Sequence, residues 1–280
     1  MFDLTIHRAF GSRSNPDHQC KRQGDMASPI GAQGTLVVKT DSAGASIPIH
    51  ISEPAGVTSE NLSLSTWGAS FILANCLHTF ALPSSQIDQS GRDGSSAQPW
   101  MLELGAGTGL VGLAAAAIWG AKVTLTDLPG ILPGLAANIS LNELLLHKHA
   151  GSASCGSLDW TDPSTLRLQQ DERSTGPDTV ESSDAKPSVI LAADTIYSED
   201  HPEMLSRTIM TWLVSGPESR AILCYPLRMA YIDHVRKFWE LMEAGGFECV
   251  EEGREKGGEE WNELAHTPYE WCVWRWKANV

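Results

Sequence analysis

The chain has 280 residues, of which 42% are apolar and 19% are charged, and its 20 basic and 34 acidic residues give a formal net charge of −14. This composition predicts a sizeable hydrophobic core and excludes a chain that is disordered throughout. The acidic balance argues against a protein that binds the phosphates of nucleic acids, because such binding needs clustered Lys and Arg.

The predicted elements begin with a β-hairpin after a polar N-terminal segment. Residues 1–33 lack periodicity and are predicted to be a mobile tail. Two alternating runs, 34–40 and 45–54, predict the hairpin, with a DSAG turn between them. A helical pattern follows from Thr66 to Phe80, with Ser65 placed to cap it.

From residue 100 onwards, short apolar runs alternate with helical patterns. Seven strands are predicted, at residues 100–104, 121–127, 152–158, 188–194, 220–226, 246–253 and 269–276. Strict alternation predicts a parallel sheet covered on both faces, and the last two strands, which lack an intervening helix, predict an antiparallel edge. The predicted fold class is therefore α/β: a Rossmann-like doubly wound sheet of seven strands, preceded by a β-hairpin and a helix.

Two polar segments interrupt this pattern, at residues 82–98 and 162–187. Because they contain few apolar residues, they are predicted to be flexible inserts. The chain from residue 34 to residue 280 is otherwise predicted to form a single domain.

The spacing of cysteine and histidine indicates neither a metal site nor a disulfide framework. The six cysteines are scattered without a CxxC pair, and the nine histidines show no ligand spacing. No secretory signal is visible, and no apolar stretch reaches the roughly 18 residues of a membrane span. We therefore expect a cytoplasmic protein that holds no metal and does not enter a membrane.

Three glycines lie between the first strand of the sheet and the helix that follows it: Gly105, Gly107 and Gly109. Glycine is needed where the chain turns sharply and where a ligand approaches the backbone closely. Asp127 ends the second strand, where an acid can accept hydrogen bonds from both hydroxyls of a ribose. The combination predicts a nucleoside-binding site, and a tight turn with a chance acid is the alternative.

The spacing of the glycines indicates which nucleoside cofactor is bound. The dinucleotide pattern GxGxxG fails at its sixth position, which is Leu110. GxGxG preceded by an acid, Glu103, instead resembles S-adenosylmethionine binding, and this cofactor has no pyrophosphate that must be held. Glu103 has three possible roles: it orients the loop, it takes the amino group of the cofactor through water, or it makes a structural hydrogen bond to the backbone.

Asp194 and Tyr197 lie at the end of another apolar strand, which is predicted to adjoin the glycine-loop strand. A lysine nucleophile has a pKa of about 10.4 in solution and must lose its proton before it attacks a methyl group. Asp194 can hold and orient the ammonium group before that loss, and Tyr197 can line the channel with its ring. The alternative is that Asp194 caps a helix and Tyr197 packs in the core.

Three aromatic and acidic residues complete the candidate site. Trp160 follows the third strand, where an adenine ring would lie. Asp159 can accept a hydrogen bond from the exocyclic amine of that adenine. Trp67 begins the first predicted helix, and its own surroundings in the sequence favour a core tryptophan.

Five motifs occur along the chain in the order TWGAS, LELGAGTGLVGLAAA, VTLTD, SLDW and AADTIY. With them the chain resembles the seven-β-strand protein-lysine methyltransferases (methyltransferase family 16) over residues 34–277. The resemblance implies an S-adenosylmethionine-dependent protein-lysine N-methyltransferase that releases S-adenosylhomocysteine. Asp194 and Tyr197 would then be the D-x-x-Y pair at the target lysine, and Trp67 would cover the cofactor. The cofactor-binding positions that it implies are Trp67, Glu103, Gly105, Gly107, Asp127, Leu128, Asp159, Trp160 and Ala193.

The same resemblance suggests a class of acceptor. Members of this family modify translation elongation factors and chaperones, and the stretch ILAADTIYSEDHPEML at residues 190–205 most resembles fungal enzymes that methylate elongation factor 2 or a related factor. We therefore expect a monomer that methylates a lysine of a protein, with elongation factor 2 favoured among translation factors and a chaperone as another candidate.

Three other functions remain open from the sequence. Methylation of an adenine base uses a D-P-P-Y motif, but Thr195 and Ile196 replace the prolines here and no basic stripe is present to hold RNA or DNA. A small-molecule acceptor is not distinguished, because loops build most of the acceptor pocket. A non-catalytic scaffold usually loses its glycines or its acidic strand ends, which this chain keeps.

Overall fold

The computed structural model describes residues 33–54, 56–59, 62–80, 82, 100–169, 178–256 and 267–278. The predicted tail at 1–33 and the predicted insert at 82–98 lie outside the described residues, except for Gln33 and Leu82.

The N-terminal part consists of two short ladders and a helix. β1 (Gln33–Lys39) pairs antiparallel with β2 (Ser46–Ser52), which confirms the predicted hairpin. β3 (Thr58–Ser59) and β4 (Leu62–Ser63) form a two-residue ladder. α1 (Gly68–Cys76) follows and ends in one turn of 3₁₀ helix.

In the described part of the chain, a sheet of nine strands forms the centre of the fold. Its strands are β5 (Trp100–Leu104), β6 (Lys122–Asp127), β7 (Ser152–Leu158), β8 (Thr165–Leu168), β9 (Thr179–Glu181), β10 (Val189–Ala193), β11 (Arg220–Pro226), β12 (Phe247–Lys256) and β13 (Pro268–Trp276). They lie in the order β12-β13-β11-β10-β5-β6-β7-β8-β9. The five central strands run parallel, and they are β11, β10, β5, β6 and β7. β13 is antiparallel to both β11 and β12, which confirms the predicted antiparallel edge.

Two strands of this sheet, β8 and β9, lie where the sequence predicts a flexible insert at 162–187. That prediction is wrong for the part of the insert that the structure describes, because β8 pairs antiparallel with β7 and β9 with β8. The physical reason is a small apolar cluster within a polar stretch. Leu166 is fully buried, and Leu168 and Val180 pack against the same core.

Helices cover both faces of the sheet, as predicted. α2 (Leu110–Trp119) and α3 (Leu132–Lys148) share one core with α1 and the hairpin, whereas α4 (His201–Trp212) and α5 (Ile232–Ala244) cover the other face. None of the helices in the described ranges combines the length and apolar content that crossing a bilayer requires.

The start of α1 differs from the prediction in its cap. Trp67 occupies the N-cap position, and no side chain caps the helix there, so the prediction that Ser65 caps it is wrong. The preceding residue is held by other bonds: the Thr66 N–H donates to Glu53 Oε1 at 2.7 Å, and its hydroxyl bonds the Thr108 hydroxyl at 2.9 Å. A Cβ on Gly68 would collide with the hydroxyl of Tyr269, so β13 and α1 approach closely at this glycine.

The order of the strands locates a binding crevice. β5 leads through α2 to β6 on one side, and the neighbouring strand β10 leads through α4 to β11 on the other. The chain thus departs in opposite directions from two adjacent strands. In open α/β sheets, ligands bind at the carboxyl ends of strands at such a switch point.

Candidate cofactor and acceptor site

A cavity opens at the carboxyl ends of the parallel strands. Ten of the eleven residues that the sequence predicts for the site line it: Trp67, Gly105, Gly107, Asp127, Leu128, Asp159, Trp160, Ala193, Asp194 and Tyr197. Glu103 is the exception. The structure therefore brings the residues predicted around the cofactor and the D-x-x-Y pair to the same cavity.

Gly105 shows why the turn after β5 requires glycine. Its φ of +63° is in the left-handed region that L side chains rarely adopt. A Cβ there would lie 2.9 Å from Thr195 Cγ2 and 3.4 Å from the ring of Trp160. The glycine thus keeps the space between these two side chains open for a ligand that approaches the backbone.

Asp127 is fixed to the glycine loop by its own carboxylate. Oδ2 accepts the N–H of Gly107 at 2.8 Å and Oδ1 accepts the N–H of Leu128 at 2.7 Å. Burial raises the pKa of Asp127, and these two bonds oppose the increase. Each oxygen keeps acceptor capacity, so the carboxylate can also bind the two hydroxyls of a ribose.

Glu103 lies in the interior under the glycine loop and does not line the cavity. Its Oε2 accepts the N–H of Gly112 at 2.9 Å and so ties β5 to α2. Burial raises its pKa to about 8, although the bond from Gly112 lowers it and nearby Asp127 raises it further. Of the three roles left open by the sequence, this contact corresponds to the structural hydrogen bond to the backbone.

The segment after β7 is held in place by α4. Asp159 Oδ1 accepts the N–H and the hydroxyl of Thr161, at 2.8 and 2.6 Å, and these bonds lower the pKa of Asp159. Arg207 Nη2 donates to the carbonyls of Trp160 and Thr161, at 3.0 and 2.9 Å. The indole of Trp212 donates to the carbonyl of Pro163 at 2.6 Å. These bonds position the half-buried ring of Trp160 at the cavity.

Asp194 ends β10 in a left-handed conformation, with φ of +56°. Its N–H donates to the carbonyl of Cys224 on β11 at 2.9 Å, and its side chain is only 6% exposed. The N-cap of α4 is Asp200, so the alternative that Asp194 caps a helix is wrong.

The carboxylate of Asp194 faces a guanidinium. Arg228 Nη1 lies 3.5 Å from Oδ1, and Arg228 Nη2 lies 3.4 Å from Oδ2. Burial raises the pKa of Asp194, and Arg228 opposes that increase.

A row of rings connects the two ends of the cavity. The Tyr197 ring meets the ring of His201 edge to face at 4.3 Å between centroids, and His201 meets Trp160 at 6.0 Å. All three residues line the cavity. The ring of His201 therefore lies between that of Tyr197, near Asp194 in the chain, and that of Trp160, next to Asp159.

Sequence reasoning missed Arg228 and His201 as site residues. Arg228 lies just after β11, beside β10, so its position at the carboxyl edge of the sheet is the signal that could have identified it. His201 is the first residue of α4, four positions after Tyr197, and no motif marks it.

The residues of the cavity fit S-adenosylmethionine. Gly105 keeps the loop open to a close approach, Asp127 can accept from hydroxyls, and Trp160 offers an aromatic face beside Asp159. Arg228 is the only Lys or Arg among the described residues that line the cavity, and a cofactor without phosphates needs no basic cluster.

Comparisons with known proteins describe what the chain is similar to. A family model described as lysine methyltransferase matches residues 47–244. Protein-lysine N-methyltransferase rrg1 of Schizosaccharomyces pombe is 31% identical over 237 residues, which cover 82% of this chain and 67% of rrg1. Protein-lysine N-methyltransferase EFM2 of Saccharomyces cerevisiae is 32% identical over 230 residues, which cover 79% of this chain and 50% of EFM2.

A solved structure, a methyltransferase from Pyrococcus furiosus, has 16% sequence identity and a TM-score of 0.42, over 65% of this chain and 77% of that one. The curated relatives are longer than the part that matches: the chain spans two thirds of rrg1 and half of EFM2.

Proposed function

The chain belongs to the lysine methyltransferase family, whose members take their methyl group from S-adenosylmethionine, and we propose that it is a protein-lysine N-methyltransferase. One observation carries the proposal. The cavity that holds the glycine loop and Asp127 also holds Asp194 and Tyr197, so a cofactor and an acceptor amine can meet in it.

In this proposal the cofactor lies along the carboxyl ends of β5, β6 and β7. The backbone at Gly105 and Gly107 contacts its methionine end, and Asp127, with Leu128 beside it, binds the ribose. Asp159 and Trp160 hold the adenine. The Ala193 carbonyl faces the methionine moiety, and Trp67 covers the cofactor from α1. The placement of all these residues on one cavity supports the assignment.

The reacting groups meet at the end of β10. S-adenosylmethionine supplies a methyl group bound to a positively charged sulfur, which is electrophilic without further activation. The acceptor amine needs a free lone pair and alignment with that methyl group. Asp194 accepts a hydrogen bond from the amine and orients it, and the ring of Tyr197 forms one wall of the channel. Burial of Asp194 keeps water from competing for this hydrogen bond.

The proposed acceptor is a translation elongation factor, with elongation factor 2 favoured. The motif at residues 190–205 supports this choice through its resemblance to fungal enzymes of that specificity. The net charge of −14 favours a basic acceptor surface over RNA, which would require basic residues at the site.

The experiment is a labelling assay. The purified chain is incubated with methyl-labelled S-adenosylmethionine and the cytosol of a fungal strain that lacks its own related methyltransferases. We expect one labelled protein band that survives nuclease, has the mass of elongation factor 2, and yields methyllysine on acid hydrolysis.

The Asp194→Asn variant serves as the matched negative control. Label that nuclease removes would replace the proposal with RNA methylation, and label only in small molecules would replace it with a small-molecule acceptor. A protein band of different mass would retain lysine methylation and replace elongation factor 2. Cofactor binding without any label would favour the scaffold.

A further inference from the structure

Arg228 and Asp194 form an ion pair inside the cavity. They follow two neighbouring parallel strands, β11 and β10, so their side chains meet at the carboxyl edge of the sheet. The side chain of Asp194 is 6% exposed and that of Arg228 is 16% exposed. Because water has little access to the pair, each charge strongly affects the other and any third charge that enters.

The pair is loose. Its N–O distances are 3.4 and 3.5 Å, whereas charge-assisted hydrogen bonds of this type are usually about 2.7–2.9 Å long. Each of the two terminal nitrogens of Arg228 faces a different oxygen of Asp194, so neither oxygen is saturated. The carboxylate can therefore accept a hydrogen bond from a third group while the guanidinium remains nearby.

We propose that Arg228 neutralises Asp194, so that Asp194 orients the target lysine without holding it as an unreactive ammonium ion. This inference rests on the proposed function. An unpaired carboxylate beside the lysine would favour the charged form of the amine and would oppose the loss of its proton. With Arg228 present, two cations would share one anion, and the guanidinium does not release a proton in proteins. The lysine is then the group that deprotonates.

The reaction balances without a further reagent. The lysine ammonium first releases a proton to water. The nitrogen lone pair then forms the bond to the methyl carbon as the carbon–sulfur bond breaks. The electron pair of that bond stays on sulfur, which leaves S-adenosylhomocysteine and a methylated ammonium. Arg228 acts here through Asp194 and through its charge, as a positioning residue.

Among the described residues, other titratable groups line the same cavity or have a pKa that responds to Asp194. They are Tyr269 on β13, Cys224 on β11, Tyr197 before α4, His201 at the start of α4, and Asp127 and Asp159 on the cofactor side of the cavity. Burial raises the pKa of both Tyr269 and Cys224, and the charge of Asp194 raises each further, so both stay neutral at neutral pH. Of the described lining residues, Arg228 alone carries a charge that is positive at every pH of an assay.

The first test needs no acceptor. S-adenosylmethionine carries a positive sulfonium, whereas S-adenosylhomocysteine carries a neutral sulfur in the same place. Calorimetry gives the affinities of both for the wild-type chain, Arg228→Gln and Arg228→Lys. We expect the preference for S-adenosylmethionine to rise about fivefold in Arg228→Gln, because the uncovered Asp194 attracts the sulfonium, and to stay unchanged in Arg228→Lys.

The second test uses the labelled band of the cytosol assay. Its initial rate is measured from neutral to alkaline pH. In Arg228→Gln the rise in rate should move to higher pH by about one unit, so the rate falls about tenfold at neutral pH and recovers at alkaline pH. Arg228→Lys should keep the wild-type profile. Arg236→Gln, which removes an exposed ion pair with Asp233 away from the cavity lining, is measured in parallel and should also keep the wild-type profile.

Three results would overturn the inference. An unchanged cofactor preference in Arg228→Gln shows that the guanidinium does not neutralise Asp194. A rate that falls equally at every pH, or a Lys variant that behaves like the Gln variant, shows a structural role. If Arg228→Gln does not give the wild-type melting curve, Arg228→Met takes its place with the same expected results. A changed cofactor preference without any labelled protein would overturn the proposed function and the lysine step while leaving the charge effect in place.

Discussion

The two halves of the cavity are built in different ways. On the side of β5 and β6, the carboxylate of Asp127 is held by backbone groups: it accepts the N–H of Leu128, its neighbour in the chain, and the N–H of Gly107, 20 positions before it. On the side of β10, the carboxylate of Asp194 faces the guanidinium of Arg228, which lies 34 positions later in the chain. We call the first the local half, because its bonds go to backbone groups of the glycine motif and of the adjacent residue, and the second the assembled half, because the sheet brings two side chains together.

This difference predicts which step, cofactor binding or methyl transfer, a substitution in each half affects. Under the proposed function, a substitution in the local half disturbs the binding of the cofactor. A substitution in the assembled half mainly alters the charge and shape around the acceptor amine. We therefore expect substitutions on the β5 side to weaken cofactor affinity and those on the β10 side to reduce transfer while cofactor still binds.

The largest expected effect is that of Asp194→Asn. Asn tolerates the φ of +56° at this position and keeps one acceptor oxygen, so the fold is expected to remain. Transfer should fall about a thousandfold because the amine is no longer oriented by a carboxylate, whereas cofactor affinity should change less than about tenfold. Labelling rate and calorimetry measure the two effects.

A matched control for this variant is Asp233→Asn. Asp233 forms an exposed ion pair with Arg236 at 2.6 Å on α5, away from the cavity lining. Its loss should leave transfer unchanged. Equal losses of rate and affinity in Asp194→Asn would show that the two halves do not act separately.

Gly105→Ala, in the local half, should produce the next largest effect, which is a loss of cofactor affinity. The new Cβ would lie 2.9 Å from Thr195 Cγ2, in a conformation that L residues avoid. We expect cofactor affinity to fall about a hundredfold, because both the loop and the space that it keeps open are disturbed. Calorimetry with S-adenosylmethionine measures it.

The control is Gly44→Ala in the turn between β1 and β2. Gly44 also has a positive φ, of +99°, but no heavy atom of the residues that the structure describes lies within 4 Å of its added Cβ. It shares the backbone strain without the steric conflict. If both variants lost affinity equally, general destabilisation would explain the result at Gly105.

The local half was the part that the sequence could predict. The glycine spacing, the acid at the end of β6 and the residues after β7 each occupy a few consecutive positions, and the alternation of strands and helices places them at one edge. Glu103 shows the limit of this reasoning. The pattern predicts that Glu103 binds the cofactor, whereas the fold places Glu103 off the cavity lining, with its carboxylate accepting the N–H of Gly112.

The assembled half was harder to predict, because pairing between distant residues depends on strand order. The sequence marked Asp194 but not Arg228, since nothing in the local pattern of either residue refers to the other. The strands β8 and β9 were missed for a related reason. Their few apolar residues are buried by contacts across the sheet, and periodicity within a polar stretch is too weak to show this.

Asp127→Asn tests the local half by its pH dependence. Because burial raises the pKa of Asp127, its carboxylate gains a proton at a higher pH than an exposed aspartate does. Protonation replaces an acceptor by a donor, so S-adenosylmethionine affinity should fall as the pH is lowered through that raised pKa. In Asp127→Asn the affinity should be about tenfold lower at neutral pH and should lose this acid decrease.

The matched control for Asp127 is Asp41→Asn. The carboxylate of Asp41 also accepts two backbone N–H groups, from Ala43 and Ala45 at 2.9 Å each, but in the hairpin turn. It should keep both the affinity and the pH profile of the wild type. An acid decrease that persists in Asp127→Asn would assign the titration to another group and remove the ribose contact from the proposal.

Arg207→Ala should give the smallest effect, because it acts on the cofactor half only through the backbone. Arg207 donates to the carbonyls of Trp160 and Thr161 from the exposed side of α4. Without it the segment should move more freely, and cofactor affinity should fall about threefold.

Arg220→Ala is the control for this last variant. Arg220 also donates to two carbonyls, those of Pro217 and Ser219, but it lies at the start of β11, the end of the strand opposite to the cavity, and does not line the cavity. If Arg207→Ala lowers affinity and Arg220→Ala does not, α4 contributes to both halves of the cavity: it begins at His201 beside Tyr197 and holds Trp160 with Arg207. A helix that serves both halves would couple cofactor binding to the acceptor wall. An Arg207→Ala variant with wild-type affinity would instead show that the bonds of Thr161 to Asp159 and of Trp212 to Pro163 position Trp160 without Arg207, and it would exclude a coupling of the two halves through Arg207.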